Sequence, residues 1–313
     1  MTYRLRILIQ IAMLLIFTVS NTKATGQQAT IDKVQQANVV LGLLEDIPGE
    51  YAGESDFRAV RAVFKKVGDD WHAFPTRTKS YHDLDTLPES YPKEMAWTIA
   101  FDGRNLGRIT SQTPPHFKFY DETGIEYIRS HGQVPTVGRK SSEYAGFLDT
   151  PVYRPLVALS QPNVSDPEQW KAAELSPALI AAARQQFRTK FPTASNCRNP
   201  EENVPRPWKY RDEDIHVAKA YSSKSGWSLV ELKLTGNACD GSFQDAFHGQ
   251  WFVVGVSGDV RFLGTDMWLV DAGDYDNCGE SEVLFSTDGY NEGGYRLFYR
   301  GFTQKAEFIF HYH

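Results

Sequence analysis

The segment from Asp274 to Glu282 carries the side chains best suited to bind an ion. Its sequence, Asp-Tyr-Asp-Asn-Cys-Gly-Glu-Ser-Glu, places carboxylates at the first, third and ninth positions and glycine at the sixth. A short loop of this kind can wrap a hard cation such as Ca²⁺, because glycine permits the sharp turn and the last carboxylate closes the cage. The alternative is a polar turn between two strands, in which Asp and Asn side chains bond to the backbone.

The residues around this segment, from Leu269 to Phe285, resemble the FG-GAP or VCBS-type repeat of integrin-like propellers. In that repeat a strand leads into Gly-Asp-x-Asp-x-(Asp)-Gly-x-x-(Asp/Glu), and a second strand follows. The resemblance implies a structural Ca²⁺ held by the side chains of Asp274, Asp276 and Glu282. The main-chain carbonyl of Glu280 would be a further ligand. Cys278 stands where the motif normally has an oxygen ligand, and a thiol is a poor ligand for a hard cation.

The tryptophans are candidates for a ligand-binding platform, since the chain has seven of them and is 13% aromatic. Most lie in segments with strand patterns, where large rings fill the space between sheets. Trp170 and Trp208 instead lie in polar segments that also contain proline. We therefore expect these two side chains to form an exposed platform for a partner.

Three pairs of residues could support other chemistry, namely Asp83 with Asp85, Asp212 with Asp214, and His311 with His313. Glycoside hydrolysis needs two carboxyl groups at a defined separation with unequal pKa values, which spacing along the chain does not establish. The two histidines would lie on one face of a terminal strand, without an evident third metal ligand. A solvated surface position is the simpler interpretation for all three pairs.

The N-terminus has the pattern of a secretory signal peptide. Arg4 and Arg6 precede a short apolar run, and Ala24 is an acceptable cleavage position. The run is shorter than the roughly 20 residues that span a bilayer. We therefore expect residues 1–24 to be removed, with an uncleaved anchor as the alternative. The mature chain would be secreted or periplasmic and would contain no integral membrane segment.

The chain has three cysteines, and an oxidising compartment would permit one disulfide and leave one free thiol. The sequence does not decide among the three pairings. We favour a disulfide between Cys197 and Cys239, because Cys278 lies inside the candidate ion loop. The alternative is that all three cysteines are reduced.

The fold class follows from a period of two in the apolar residues beyond residue 30. Short runs rich in Val, Ile, Phe, Tyr and Trp are bounded by Gly, Pro, Asp or Asn, which indicates strands. The hairpin from Trp97 to Thr110, which turns at Asp102-Gly103, is one of several alike. Only one helix is expected, which Ser176-Pro177 begins and Ala178–Lys190 continues.

Recurring hairpins of similar size predict an all-β, β-propeller-like fold of about 4–5 small antiparallel blades. Two packed β-sandwich or sheet units are the alternative. After the signal peptide we expect an N-terminal β-rich region over residues 25–194, whose latter part, from about residue 134, is an insertion of loops and the helix. A C-terminal β region with the cation loop would cover residues 195–313.

The net charge and the absence of common catalytic motifs limit the classes of function that the sequence supports. The net charge of −6 argues against nucleic acid as a partner. The sequence contains no nucleophile elbow, P-loop, dinucleotide-binding or HExxH motif. We therefore expect a secreted or periplasmic, non-enzymatic protein that binds a protein or glycan partner and contains a structural Ca²⁺ loop. The alternatives are a secreted hydrolase that acts on polysaccharide and an accessory subunit of an envelope assembly.

Overall fold

A computed structural model describes residues 39–47, 57–76, 95–110, 117–120, 123–127, 154–197, 205–236, 238–239, 249–289 and 292–311. The predicted signal peptide lies outside these ranges, as do Asp83, Asp85 and His313. Strands dominate the described residues, and no helix among them is long and apolar enough to cross a membrane.

The largest sheet has eight antiparallel strands. They are β1 (Val40–Ile47), β2 (Phe57–Val67), β3 (Asp70–Ala73), β4 (Ala96–Phe101), β5 (Arg104–Thr110), β6 (Phe117–Tyr120), β7 (Thr123–Tyr127) and β8 (Leu156–Leu159). Their order is β5-β4-β8-β1-β2-β7-β6, and β3 also pairs with β2. All four residues of β8 are buried, as expected for a central strand that pairs with neighbours on both sides.

Three smaller antiparallel sheets follow. A five-stranded sheet consists of β9 (Lys171–Ala172), β12 (Ile215–Ser222), β13 (Ser228–Leu234), β15 (Gln250–Val254) and β16 (Val260–Gly264). A three-stranded sheet consists of β10 (Ala194–Asn196), β11 (Arg206–Trp208) and β14 (Ala238–Cys239). A four-stranded meander consists of β17 (Met267–Gly273), β18 (Glu282–Gly289), β19 (Glu292–Tyr299) and β20 (Gln304–His311).

The helix α1 covers Pro177–Lys190, in agreement with the sequence prediction. Its N-cap is Ser176, whose Oγ accepts a hydrogen bond from Leu179 N at 3.3 Å. Pro177 fits the first helical position because its missing N–H would have no helical partner there. Ala183 and Phe187 are the buried residues of the helix and fix the face that packs against the five-stranded sheet.

The four-stranded sheet is the middle layer of the molecule. Side chains alternate along β18, so Leu284 packs in the core of the eight-stranded sheet while Val283 and Phe285 face the other way. There they contact the five-stranded sheet through Trp251. The opposite face of the five-stranded sheet packs against Phe187 of α1. The layers therefore follow the order eight-stranded sheet, four-stranded sheet, five-stranded sheet, helix.

The all-β prediction is confirmed, and the propeller-like arrangement is not. The described strands form several antiparallel sheets of unequal size but no closed barrel or propeller. Short strands with a period of two occur in blades and in stacked sheets alike, so the sequence pattern does not distinguish the two. The turn at Asp102-Gly103 is confirmed, with φ of 50° and 64°, the left-handed values that a two-residue hairpin turn requires.

Candidate ligand-binding site

The loop between β17 and β18 is fastened to an earlier segment of the chain. Asp274 N–H donates to Ser165 O at 2.7 Å, and these two residues form an isolated β-bridge. The Gln161 side chain donates to the Tyr275 carbonyl at 2.6 Å and accepts a hydrogen bond from the Asn277 side chain. The loop is therefore held against this segment at Asp274, Tyr275 and Asn277 rather than projecting freely.

Two aspartates shape the turn by accepting hydrogen bonds from its backbone. Asp274 accepts from Cys278 N and from Gly279 N, each at 2.9 Å, and Asp276 accepts from Cys278 N at 3.0 Å. Asn277 and Gly279 have φ of 58° and 90°, and such left-handed backbone is where glycine and asparagine are favoured. The carboxylates thus perform the side-chain-to-backbone role of a polar turn.

Lys66 supplies a positive charge to this loop from the eight-stranded sheet. Its Nζ forms an ion pair with Asp276 Oδ2, and the side chains are only 9% and 2% exposed. The same ammonium lies 5.3 Å from the centre of the Trp71 ring and 5.7 Å from that of Tyr299. Sequence reasoning missed this residue, because a lysine at the end of a long strand normally indicates a solvated edge.

Glu282 closes the loop from the first residue of β18. Its two carboxylate oxygens accept from Tyr275 N at 2.7 Å and from Trp71 Nε1 at 3.2 Å. Burial, with the neighbouring charge of Asp276, raises the pKa of Glu282 to about 8. Burial therefore favours the protonated form of this carboxyl.

The two aspartates of the loop have pKa values shifted in opposite directions. Burial raises the pKa of Asp274. Burial alone would also raise the pKa of Asp276, but hydrogen bonding from Cys278 and the charge of Lys66 lower it below its ordinary value. The Lys66 ammonium is thus the counter-charge that favours the ionised form of Asp276.

The predicted cation ligands are together, but their donors already have partners. Ligand atoms of Asp274, Asp276 and Cys278 lie within 4.8 Å of one another. The Glu280 carbonyl accepts from the Cys278 thiol at 3.7 Å. A calcium ion here would have to displace Lys66 from Asp276 and would meet a thiol among its ligands, which is unfavourable for a hard cation. These residues as arranged do not fit a Ca²⁺ cage, and calcium binding stays a prediction of the sequence.

A cleft of about 670 Å³ opens beside the loop. One wall is the loop itself, with Cys278, Glu280, Ser281 and Glu282. The remaining lining comes from four other parts of the chain and consists of Lys66, Asp69, Glu168, Trp170, Ser225, Trp227, Tyr299, Arg300, Gly301 and Phe302. Its volume lies in the range of sites that hold a small ligand.

Three half-buried aromatic side chains, which we call the cleft cluster, form the apolar part of this lining. They are Trp170, Trp227 and Phe302. The ring of Phe302 lies 6.0 Å from that of Trp170, edge to face, and 5.6 Å from that of Trp227. The Arg261 guanidinium lies 5.8 Å from the centre of the Trp227 ring. Of the two residues predicted to form a platform, Trp170 lies at the cleft, and the prediction did not include Trp227.

Trp208 does not share this site. It packs against the core under α1, with its ring 6.1 Å from that of Tyr210. Trp208 belongs to β11 of the three-stranded sheet, where it pairs with Ala194 of β10. The two predicted platform residues therefore lie in different regions. The polar sequence around Trp208 resembles that around Trp170, so local composition does not separate them.

Asp166 links the aromatic wall of the cleft to the loop. Its Oδ1 accepts from Ser281 Oγ at 2.6 Å, and its Oδ2 accepts from Trp170 N at 2.7 Å. Nearby, Glu168 accepts from the Ser225 hydroxyl. One aspartate therefore fixes the position of Trp170 relative to the loop.

A second buried carboxyl, Asp271 in β17, lies behind the loop. Neither of its oxygens has a hydrogen-bond partner among the described residues. Burial raises the pKa of Asp271 to about 7, although the charge of Arg154 opposes this shift. A neutral carboxylic acid is the form that an apolar interior tolerates best.

Asp212, Asp214 and His311, the described members of the other candidate pairs, do not line the cleft. Asp212 and Asp214 belong to one turn of 3-10 helix, where Asp212 forms an ion pair with Arg188 and Asp214 one with Arg211. His311 lies 3.9 Å from Glu292 on the surface. These contacts fit structural roles for Asp212, Asp214 and His311.

The side chains of two of the three cysteines, Cys197 and Cys278, are among those that the structure describes. Cys278 is free, and although the residue as a whole is exposed, its thiol is partly shielded from water by the loop. This desolvation, with the neighbouring carboxylate of Asp276, raises the pKa of Cys278 to about 12. Cys197 is disulfide-bonded, while no complete disulfide pair lies within the described side chains. Backbone pairing places Ser195 opposite Cys239. The Cys197–Cys239 disulfide therefore stays a prediction.

Comparisons with protein-family models, with curated proteins and with solved structures found no match. The function must accordingly be argued from the chemistry of the cleft.

Proposed function

We propose that this chain is a secreted or periplasmic, non-enzymatic binding protein that holds a glycan in the cleft beside the Asp274–Glu282 loop. The observation that carries this proposal is the composition of a cleft of about 670 Å³, in which aromatic rings and charged side chains share one lining. The compartment rests on the signal-peptide pattern of residues 1–24.

Sugars fit this lining because they present two kinds of surface. The C–H face of a pyranose packs on a flat aromatic ring, and Trp170 and Trp227 offer such rings. Sugar hydroxyls donate to carboxylates and accept from charged donors, and Glu168 and Arg300 lie in the same cleft. A purely apolar ligand would remove water from these charged groups and offer them no hydrogen bond in return.

The loop has a structural part in this proposal. It positions Ser281, which fixes Asp166 and through it Trp170. The Lys66–Asp276 pair ties the same loop to the eight-stranded sheet. Neither role needs a bound ion, and an FG-GAP-type calcium loop remains a prediction that the metal titration described in the Discussion tests.

Titration calorimetry against a panel of soluble oligosaccharides tests the proposal. We expect one class of oligosaccharide to bind, and Trp227→Ala to weaken its affinity by about tenfold or more, a loss of about 1.4 kcal/mol. Trp208→Ala is the matched control, since it removes a half-buried tryptophan outside the cleft. Absence of binding across the panel, or equal losses in both variants, would refute the proposal.

A polysaccharide hydrolase is the second candidate, and one observation favours it. Glu282 lines the cleft and has its pKa raised to about 8, as a general acid requires. A hydrolase also needs a second carboxyl at a defined separation. Release of reducing ends by the wild type, abolished in Glu282→Gln, would replace the binding proposal with this one; we expect no release.

A further inference from the structure

We infer that the cleft selects a ligand carrying a protonated amine, of which an amino sugar is the chemical class that also satisfies the aromatic lining. This inference rests on the proposed glycan-binding function and specifies the class of glycan. It excludes phosphorylated sugars and uronic acids as ligands. The selectivity would come from which charges of the lining are already paired within the protein.

The two cations of the lining are both engaged by the protein. Lys66 is paired with the buried carboxylate of Asp276. Arg300 lies 3.2 Å from Asp70 Oδ1 and donates to the Asp69 carbonyl at 2.9 Å. Neither cation is therefore free to bind an anionic ligand without giving up an existing partner.

Two carboxylates of the lining have no cationic partner within the described part of the chain. Glu168 accepts only from the backbone and hydroxyl of Ser225, and Glu280 is exposed on the wall formed by the loop. Both cations of the lining are paired with carboxylates, whereas Glu168 and Glu280 have no cationic partner among the described residues. The unpaired charge of the cleft is therefore negative. A protonated amine would be attracted there, and an anion would be repelled.

The aromatic side chains point to the same chemistry. Aromatic faces attract cations, and a cation near several rings is the usual arrangement for recognising ammonium groups. The rings around this cleft already contact cations of the chain, with Lys66 near Tyr299 and Arg261 near Trp227. A ligand amine beside Trp170 and Glu168 would repeat this arrangement on the remaining wall.

The test compares three oligosaccharides of equal length by titration calorimetry in mildly acidic, low-salt buffer. They are a glucosamine oligomer, its fully N-acetylated counterpart and a glucose oligomer. We expect the glucosamine oligomer to bind at least about tenfold more tightly than the other two. In a Glu168→Gln/Glu280→Gln variant this preference should disappear while weak binding of all three remains.

The control variant is Glu213→Gln, which removes a carboxylate from the exposed 3-10 turn and should keep the full preference. Equal binding of all three oligomers to the wild type would overturn the amine inference and leave glycan binding intact. Absence of binding to any of them, with tight binding of another oligosaccharide, would also overturn it. Absence of all oligosaccharide binding would overturn both proposals.

Discussion

Two aromatic regions of this protein look alike in sequence and differ in what surrounds them. The helix-covered cluster consists of Phe187, Trp208 and Tyr210. The centre of the Tyr210 ring lies 6.1 Å from that of Phe187 and 6.1 Å from that of Trp208. The helix α1 lies over this cluster and completes an apolar core. The cleft cluster of Trp170, Trp227 and Phe302 has similar ring spacings, but charged side chains stand beside it.

The difference shows that the surroundings of an aromatic cluster, and not its aromatic content, decide whether it stabilises the core or lines a cleft. Under α1 the rings stabilise the fold, because their surface is removed from water. At the cleft the half-buried rings share the lining with Lys66, Glu168 and Arg300. We therefore expect the first region to respond to changes in apolar volume and the second to changes in charge.

Phe187→Ala should have the largest effect on stability. Phe187 is fully buried between α1 and the five-stranded sheet, and truncation of such a ring costs about 3–5 kcal/mol. Denaturant unfolding measures this loss. Gln185→Ala, on the exposed side of the same helix, should change the free energy of unfolding by less than about 0.5 kcal/mol. Equal losses in the two variants would contradict the assigned packing of α1.

Lys66→Met should destabilise the cleft region by roughly 3 kcal/mol, because it leaves the buried Asp276 carboxylate without its counter-charge. Lys233→Met, which removes an exposed lysine from β13, is the control and should be nearly neutral.

The same two variants test calcium binding when unfolding is measured with Ca²⁺ and with a chelator. We expect the wild type to be insensitive to Ca²⁺, because Lys66 already neutralises the loop. Lys66→Met should gain a Ca²⁺-dependent rise in melting temperature, since the freed carboxylates can then bind the ion. A rise in the wild type that Asp274→Ala/Asp276→Ala abolishes would instead establish the calcium loop predicted from the sequence.

Asp271→Asn should have the smallest effect below pH 3.8, and it should alter the pH dependence of stability above that value. The folded state raises the pKa of Asp271 from 3.8 to about 7, so it binds the proton more tightly than the unfolded chain does. Stability from this group is therefore present below pH 3.8 and is lost as pH rises towards 7. Asparagine does not ionise and should remove that loss.

Unfolding measured in steps across this window checks the prediction. The wild type should lose stability relative to Asp271→Asn as pH rises, and the two should be nearly equal at the acidic end. Asp69→Asn, which changes an almost fully exposed carboxylate, serves as the control and should follow the wild type. A constant difference between wild type and Asp271→Asn at every pH would contradict a buried, protonated Asp271.

The sequence predicted the local structure of this protein better than its assembly. Ser176 and Pro177 specify where α1 begins, and Asp102-Gly103 specifies a tight hairpin turn, because both signals act through backbone geometry over a few residues. The stacking of the four-stranded sheet between two others depends on contacts between distant segments. The alternation of residues in β18 is compatible with either a blade or a middle layer.

The candidate site shows the same limit. The sequence identified the loop residues Asp274 and Asp276, and it placed Trp170 among the platform residues. It could not assign Lys66 to the loop, because Lys66 in β2 and its partner Asp276 are 210 positions apart in the sequence. Nor could it separate Trp170 from Trp208, since only the position of α1 makes one of them part of a core.

The most direct test of the central claim is an NMR titration that follows the indole N–H signals of the seven tryptophans during addition of the oligosaccharide that calorimetry identifies. The account predicts that the signals of Trp170 and Trp227, each assigned by substitution, shift with saturation. The signals of the buried Trp97 and Trp251 and of the helix-covered Trp208 should stay in place. Saturable shifts confined to Trp208, with Trp170 and Trp227 unmoved, would contradict a ligand site in the cleft.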